Sequence, residues 1–165
     1  MRWFWIDKFV QFEPGKHARA VKNVSQAEEH LHDHFPGYPV MPASLVIEGM
    51  AQTAGILVGH ARGFKENVIL AKVQQATFHG LARPGDQLVY DAHLERIDQD
   101  GASIRGCVTR DDQPFAEIDI IFSHVGENQS ELDLPGKNFV FDRQFDVLVG
   151  GYQLDKLPPQ PGQQP

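Results

Sequence analysis

From Ser44 to about Ala61 the chain runs without a proline or a cluster of turn residues, enough for about five turns of helix. Ser44 is placed to cap the N-terminus of that helix. At about 100° per residue, Val46, Met50 and Leu57 fall on one side. Ser44, Ala51, Gly55 and Gly59 gather on the other, beside Glu48 and Gln52. A helix that is apolar nearly all round has to be covered by other elements. Each interior glycine costs roughly 1 kcal/mol of helix propensity relative to alanine, so Gly49, Gly55 and Gly59 point to close approach of other backbone. A sheet wrapped around this helix meets that requirement. A membrane does not, because Glu48 and Gln52 lie in the middle of the segment.

The remaining pattern supplies such a sheet. Lys8 to Phe12 and His17 to Val24 read as a hairpin across the turn signal Pro14-Gly15. A polar stretch, Ser25 to Asp33, leads into Phe35 to Pro42, where three prolines and a glycine forbid regular helix or central strand and predict a rigid loop. After the helix come Val68 to His79 and then Gln87 to Ile97, with Leu88, Tyr90, Ala92 and Leu94 at period two. Asp100-Gly101 marks a hairpin, Ala102, Ile104, Gly106 and Val108 alternate next, and Ala116, Ile118, Ile120 and Phe122 alternate after a turn at Asp111 to Pro114. One buried helix and about five or six antiparallel strands make an α+β domain over residues 1–125. Residues 126–157 form an extension that the pattern does not place, although Phe139, Phe141 and Phe145 could drape an apolar strip over the domain. Pro158 to Pro165 contain only proline, glutamine and glycine and read as a disordered tail.

Composition narrows the function. A chain of 165 residues, 41% hydrophobic, supports one domain with a real core. With 15 Lys and Arg against 22 Asp and Glu, the formal charge of −7 argues against binding nucleic acid through its phosphates. The single cysteine, Cys107, has no partner for an intrachain disulfide and fits a reducing compartment, so the expected location is the cytoplasm. The opening MRWFWIDKFV reaches Asp7 too soon to hold the apolar core of a signal peptide.

Two groups of residues carry chemistry. The first is His34 with Glu48. A histidine ahead of a Pro-Gly loop is held in one direction, while a carboxylate on a buried helical face pays for its charge in lost hydration. The helix start near Ala43 and Ser44 offers unpaired N–H groups to a developing negative charge. Base, acid and oxyanion site together suit removal of a proton next to a carbonyl followed by loss of a neighbouring group. Spacing alone leaves a plainer alternative open, a solvated loop histidine and a glutamate bonded to Gln52 one turn on. The second group is His30, His32 and His34 with Asp33. It resembles a metal site superficially, but the HxHxDH pattern of metallo-hydrolases needs one residue more than this segment provides.

The run His34-Phe35-Pro36-Gly37-Tyr38-Pro39-Val40-Met41-Pro42, continuing to Glu48-Gly49-Met50-Ala51-Gln52, resembles the signature of FabZ-type beta-hydroxyacyl-acyl carrier protein dehydratases, including the 14 positions from His34 to Glu48. Lys22-Asn23-Val24-Ser25 before it and Arg83-Pro84-Gly85-Asp86-Gln87-Leu88 after it keep the same order, so the likeness spans roughly residues 1 to 125. It implies the hotdog fold, a long central helix wrapped by an antiparallel sheet. It also implies His34 as the base that takes the alpha proton of a 3-hydroxyacyl thioester and Glu48 as the acid that protonates the departing hydroxyl. Gln52 would orient Glu48, the Ala43 N–H would polarise the thioester carbonyl, and Phe35, Pro36, Gly37, Pro39, Val40, Met41 and Pro42 would form the active-site loop. No metal or organic cofactor is implied. The implied partners are acyl carrier protein and a second copy of the chain, with trimers of dimers as a further level. Glu48 ahead of Ala51-Gln52 matches the non-isomerising type, since the isomerising relatives carry an aspartate followed by a tryptophan-glutamine pair.

The sequence departs from that family in three places. Ala43 stands where the family has glycine, Phe78-His79-Gly80-Leu81 lacks the basic residues common in that strand, and the stretch after Val125 has no recognisable counterpart. Two rival functions share the fold. A hotdog thioesterase would use one helical carboxylate on water or thioester and leave His34 without a role, and a silent module would only bind acyl chains or a partner.

Overall fold

The computed structural model describes residues 4–125 and Leu148. Strands β1 (Lys8–Glu13) and β2 (His17–Asn23) form the opening hairpin, with Gly15 at φ 70° in its turn. Helices α1 (His30–Asp33) and α2 (Ala43–Ala61) follow, and then strands β3 (Asn67–Phe78), β4 (Gln87–Ile97), β5 (Gly101–Arg110) and β6 (Gln113–Val125). All six strands join one antiparallel sheet in the order β1-β2-β4-β5-β6-β3. The sheet closes around α2, giving the α+β hotdog architecture expected from the sequence. Among the described residues no helix is long and apolar enough to cross a membrane.

Period-two alternation sets the inner face. Ala18 and Ala20 of β2, Leu88, Tyr90 and Ala92 of β4, Ile104 of β5 and Ile118 and Ile120 of β6 are all fully or almost fully buried against the helix. Along α2, every residue from Gly49 to His60 is buried, so the helix has no solvent face over its central and C-terminal turns. Gly49 shows why a small residue is needed there. A Cβ at this position would stand 2.5 Å from both Cζ and the hydroxyl oxygen of Tyr90 and 3.0 Å from the Trp5 carbonyl oxygen. Leu148, from the stretch read as an extension, is buried in the same core. The apolar strip Phe139, Phe141 and Phe145 and the tail from Pro158 lie outside the described residues.

Three local expectations are corrected. The helix begins one residue before Ser44, at Ala43, and its N-cap is Pro42, at φ −55° and ψ 137°, with no side-chain cap. The Pro42 carbonyl accepts the first helical bonds, from the N–H groups of Leu45 (2.9 Å) and Val46 (3.3 Å), so the fixed proline φ does the work assigned to a serine hydroxyl. The turn placed at Asp111 to Pro114 is tighter. Asp111 and Asp112, at φ 48° and 64°, make a two-residue hairpin turn. Pro114 already lies in β6, opposite Thr109 beside a register irregularity where a missing N–H is tolerated. Finally, the polar stretch contains α1, whose single buried residue, Leu31, is too sparse a signal for a helical period.

Gly49→Ala gains about 1 kcal/mol of helix propensity but forces the Tyr90 ring to move, at a cost of about 1–3 kcal/mol for overpacking. The net expectation is a lower urea midpoint. Adding Tyr90→Phe removes the nearest oxygen, which has no hydrogen-bond partner among the described residues, and should recover part of the loss. A Gly49→Ala protein as stable as the parent would contradict this packing.

Candidate active site

The loop between α1 and α2 is built by its own backbone. Tyr38 N–H donates to the Phe35 carbonyl at 2.8 Å and Phe35 N–H to the Tyr38 carbonyl at 3.1 Å, closing a turn around Pro36 and Gly37. Gly37 has φ 74°, so the turn uses the freedom of glycine at the position after proline. Tyr38 is in turn held by Arg83, whose guanidinium lies 4.4 Å from the Tyr38 ring centroid and donates to its hydroxyl. Arg83 belongs to the turn Arg83-Pro84-Gly85-Asp86, where the Asp86 carboxylate accepts the Arg83 N–H at 2.8 Å. At the far end of the loop Val40 and Met41 are buried, and Met41 N–H donates to the Ala82 carbonyl at 2.8 Å.

His34 is fixed by this loop at two points. Its carbonyl accepts the Val40 N–H at 2.9 Å, and its ring nitrogen Nδ1 lies 2.9 Å from the Val40 carbonyl oxygen. A carbonyl can only accept, so Nδ1 carries the hydrogen and donates it. In the neutral ring that leaves Nε2 with the free lone pair, the state a general base requires. Phe35 stacks on the imidazole, with centroids 4.1 Å apart and planes 27° from parallel.

Glu48 is half-buried, less enclosed than the buried helical face expected for it. Its Oε1 accepts from Gln52 Nε2 at 2.9 Å, and Gln52 Oε1 accepts the Trp5 N–H at 2.9 Å. Because Trp5 offers a donor, the Gln52 amide can turn only one way, with its NH2 toward Glu48. Gln52 therefore presents its donor to the carboxylate. Ala43, the first helical residue, is exposed and is not among the residues with positive φ. Its N–H and that of Ser44 lie in the first turn, where a helix has no carbonyl for them. Among the described residues no hydrogen bond or ion pair joins His34 to Glu48 within the chain.

The other histidines do not assemble as a ligand set around His34. His30 meets Trp5 edge-on at 5.1 Å and burial pushes its imidazole below its ordinary range, while His32 is exposed. Among the described residues, the group whose ligand atoms do converge is His17, Asp91 and His93. Sequence reasoning missed it because it depends on the register of β2 against β4, which sets His17 opposite His93 and Arg19 opposite Asp91.

A family model for the FabA-like domain matches residues 3–119. Among known proteins, the 3-hydroxyacyl-[acyl-carrier-protein] dehydratase FabZ of Ralstonia nicotianae is 36% identical over 132 residues, covering 78% of this chain and 80% of the relative. FabZ of Petrotoga mobilis is 39% identical over 105 residues, covering 62% and 74%. Among solved structures, the dehydratase heterocomplex ApeI:P from Xenorhabdus doucetiae superposes with a TM-score of 0.65 at 18% identity, over 79% of this chain and 88% of that one. A hypothetical thioesterase with coenzyme A from Streptococcus pneumoniae gives 0.59 at 8% identity, over 72% and 85%. At those identities the solved structures speak for the fold and not for the reaction.

Among the described residues a Cβ at Gly37 would meet nothing within 4 Å, so replacing this residue tests backbone conformation. Gly37→Ala should cost about 1–2 kcal/mol for a left-handed alanine, read from the denaturation midpoint, and Gly37→Asn less. Equal stability of all three proteins would mean that the turn is not held as described.

Proposed function

The chain belongs to the FabA-like family, and on that premise we infer that it is a 3-hydroxyacyl-acyl carrier protein dehydratase of the FabZ type, converting (3R)-3-hydroxyacyl thioesters to trans-2-enoyl thioesters in fatty acid biosynthesis. The observation that carries the assignment of roles is the His34 Nδ1–H donated to the Val40 carbonyl, because it leaves Nε2 bare. In the proposed reaction Nε2 takes the proton from C2. The electron pair moves toward the thioester carbonyl, whose oxygen is stabilised by the Ala43 N–H at the helix start. Glu48, protonated and steadied by Gln52, gives its proton to the C3 hydroxyl, which leaves as water while the C2–C3 double bond forms. His34 ends with one proton more and Glu48 with one fewer, and exchange with water resets both.

The site needs two copies of the chain in this reading, with His34 of one subunit facing Glu48 of its partner. Two features support a homodimer. The two residues do not bond within a chain, and among the described residues β3 is a long edge strand paired on one side only, with its middle, Ala71 to Ala76, exposed. Trimers of dimers remain the further level of assembly implied by the family. Acyl carrier protein is the proposed donor of substrate, and the single cysteine supports a reducing compartment such as the cytoplasm.

The direct test presents a 3-hydroxyacyl-acyl carrier protein to the full chain and follows the conjugated enoyl thioester by absorbance. Enoyl product without release of free thiol is expected. Thiol release without enoyl product would mean a thioesterase, and neither would mean a silent binding module. His34→Ala and Glu48→Gln should each lower kcat by about 10² or more with the fold intact. Mixing inactive His34→Ala and Glu48→Ala subunits under exchange should restore part of the activity, and failure despite proven exchange would place both groups in one subunit. Ala43→Gly should change kcat/KM by less than about tenfold, since a helical residue holds its N–H without needing glycine.

A further inference from the structure

On the outer face of the sheet, away from α2, three side chains converge on one point. Ala18, Ala20, Tyr90 and Ala92 occupy the inner face, so the alternate residues His17 and Arg19 of β2 and Asp91 and His93 of β4 stand together on the other side. His17 Nε2 contacts Asp91 Oδ1, and His93 Nε2 lies 3.3 Å from the same oxygen. The two imidazoles stack, with centroids 4.5 Å apart and planes 28° from parallel. The candidate ligand atoms of His17, Asp91 and His93 all lie within 4.8 Å of one another.

We propose that His17, Asp91 and His93 form a binding site for a divalent transition-metal ion of the zinc class, with the fourth position open to solvent. Two imidazoles and one carboxylate are a donor set that suits zinc, nickel, cobalt or copper and not calcium or magnesium. The 3.3 Å between His93 Nε2 and Asp91 Oδ1 is close to the roughly 3.4 Å that tetrahedral bonds of about 2.0–2.1 Å impose on neighbouring ligands, whereas His17 Nε2 and Asp91 Oδ1 stand in direct contact and part to admit an ion. Arg19 supplies the outer support that such sites use. Its Nε donates to Asp91 Oδ2 at 2.7 Å and its Nη2 contacts the same oxygen, which leaves Oδ1 toward the histidines. The Arg19 guanidinium, bonded to Asp91 Oδ2, also brings a positive charge beside the carboxylate, which a ligand must carry ionised.

Access matches a site loaded from solution. The His17 side chain is 11% exposed and Asp91 19%, while His93, at 56%, forms the open side. Cys107 pairs with Asp91 from β5, yet its thiol is not part of the convergent group. Its proton is held more tightly than usual by burial and by the nearby Asp91, Glu117 and Asp119 carboxylates. The proposal concerns a face of the sheet separate from His34 and Glu48, departs from the expectation of no metal, and stands or falls independently of the dehydratase reading.

The test uses the untagged full chain, stripped with chelator and titrated with zinc chloride by calorimetry. Binding of one zinc per chain is expected, weakened at least tenfold in His93→Ala and in Asp91→Asn. Cys107→Ser and His32→Ala should bind as the parent does, within about threefold, and dehydratase activity should be unchanged in His93→Ala. Cobalt chloride in place of zinc should give the visible absorption of a tetrahedral ion in the parent and not in His93→Ala. Because His93 is mostly exposed, that variant is expected to fold and it decides the matter. No one-to-one binding by the parent, or parent-like affinity in His93→Ala, would reduce the cluster to an ion pair between histidines and Asp91.

Discussion

The rotation of α2 inside the sheet is set by the contact between Gly49 and the Tyr90 ring, and the site takes its geometry from that contact. With no room for even a methyl group at position 49, the helix can approach β4 at this point only as glycine. Neighbouring residues inherit their places. Glu48 stands one residue back, and Gln52, one turn on, is tied to the Trp5 backbone that also lies against Gly49. The carboxylate proposed as acid is therefore held through Gln52 by the same Trp5 backbone that packs against the helix.

The loop from His34 to Pro42 joins the core to the proposed base in a similar way. Its far end is anchored by buried Val40 and Met41, its near end by the paired bonds between His34 and Val40. Pro42 then ends the loop and caps the helix in one residue, which brings the N–H of Ala43 to the helix start. That arrangement explains why alanine can stand where the family has glycine. A first-turn helical residue has negative φ, and the side chain faces outward with nothing in the backbone geometry demanding its absence.

Much of the fold was legible because burial writes a period into the sequence. β4 runs from Gln87 to Ile97, the bounds its alternation predicts, and the glycines of α2 announce enclosure before any neighbour is known. Two of the misreadings share one cause, a local signal replaced by another of equal worth, while α1 was missed because its one buried residue, Leu31, sets no period. Pro42 took the cap from Ser44, and Asp111 and Asp112 adopted positive φ so that Pro114 was released into β6. Within the site, the identities of His34, Glu48 and Gln52 came from their motif, but the tautomer of His34 and the orientation of the Gln52 amide did not, since each depends on a carbonyl or an N–H brought in by folding. The group His17, Asp91 and His93 was invisible for a related reason. Nothing in either segment marks it, and only the pairing of β2 with β4 assembles it.

All of the proposed chemistry depends on His34 presenting a bare Nε2 at neutral pH. Nitrogen-15 NMR of the histidine-labelled full chain, with His34 assigned by its loss in His34→Ala, reads this directly. A proton on Nδ1 and none on Nε2 in the neutral ring is the predicted pattern. A neutral ring that carries its proton on Nε2 would show that the Val40 carbonyl does not set the tautomer, and His34 could not then be the base.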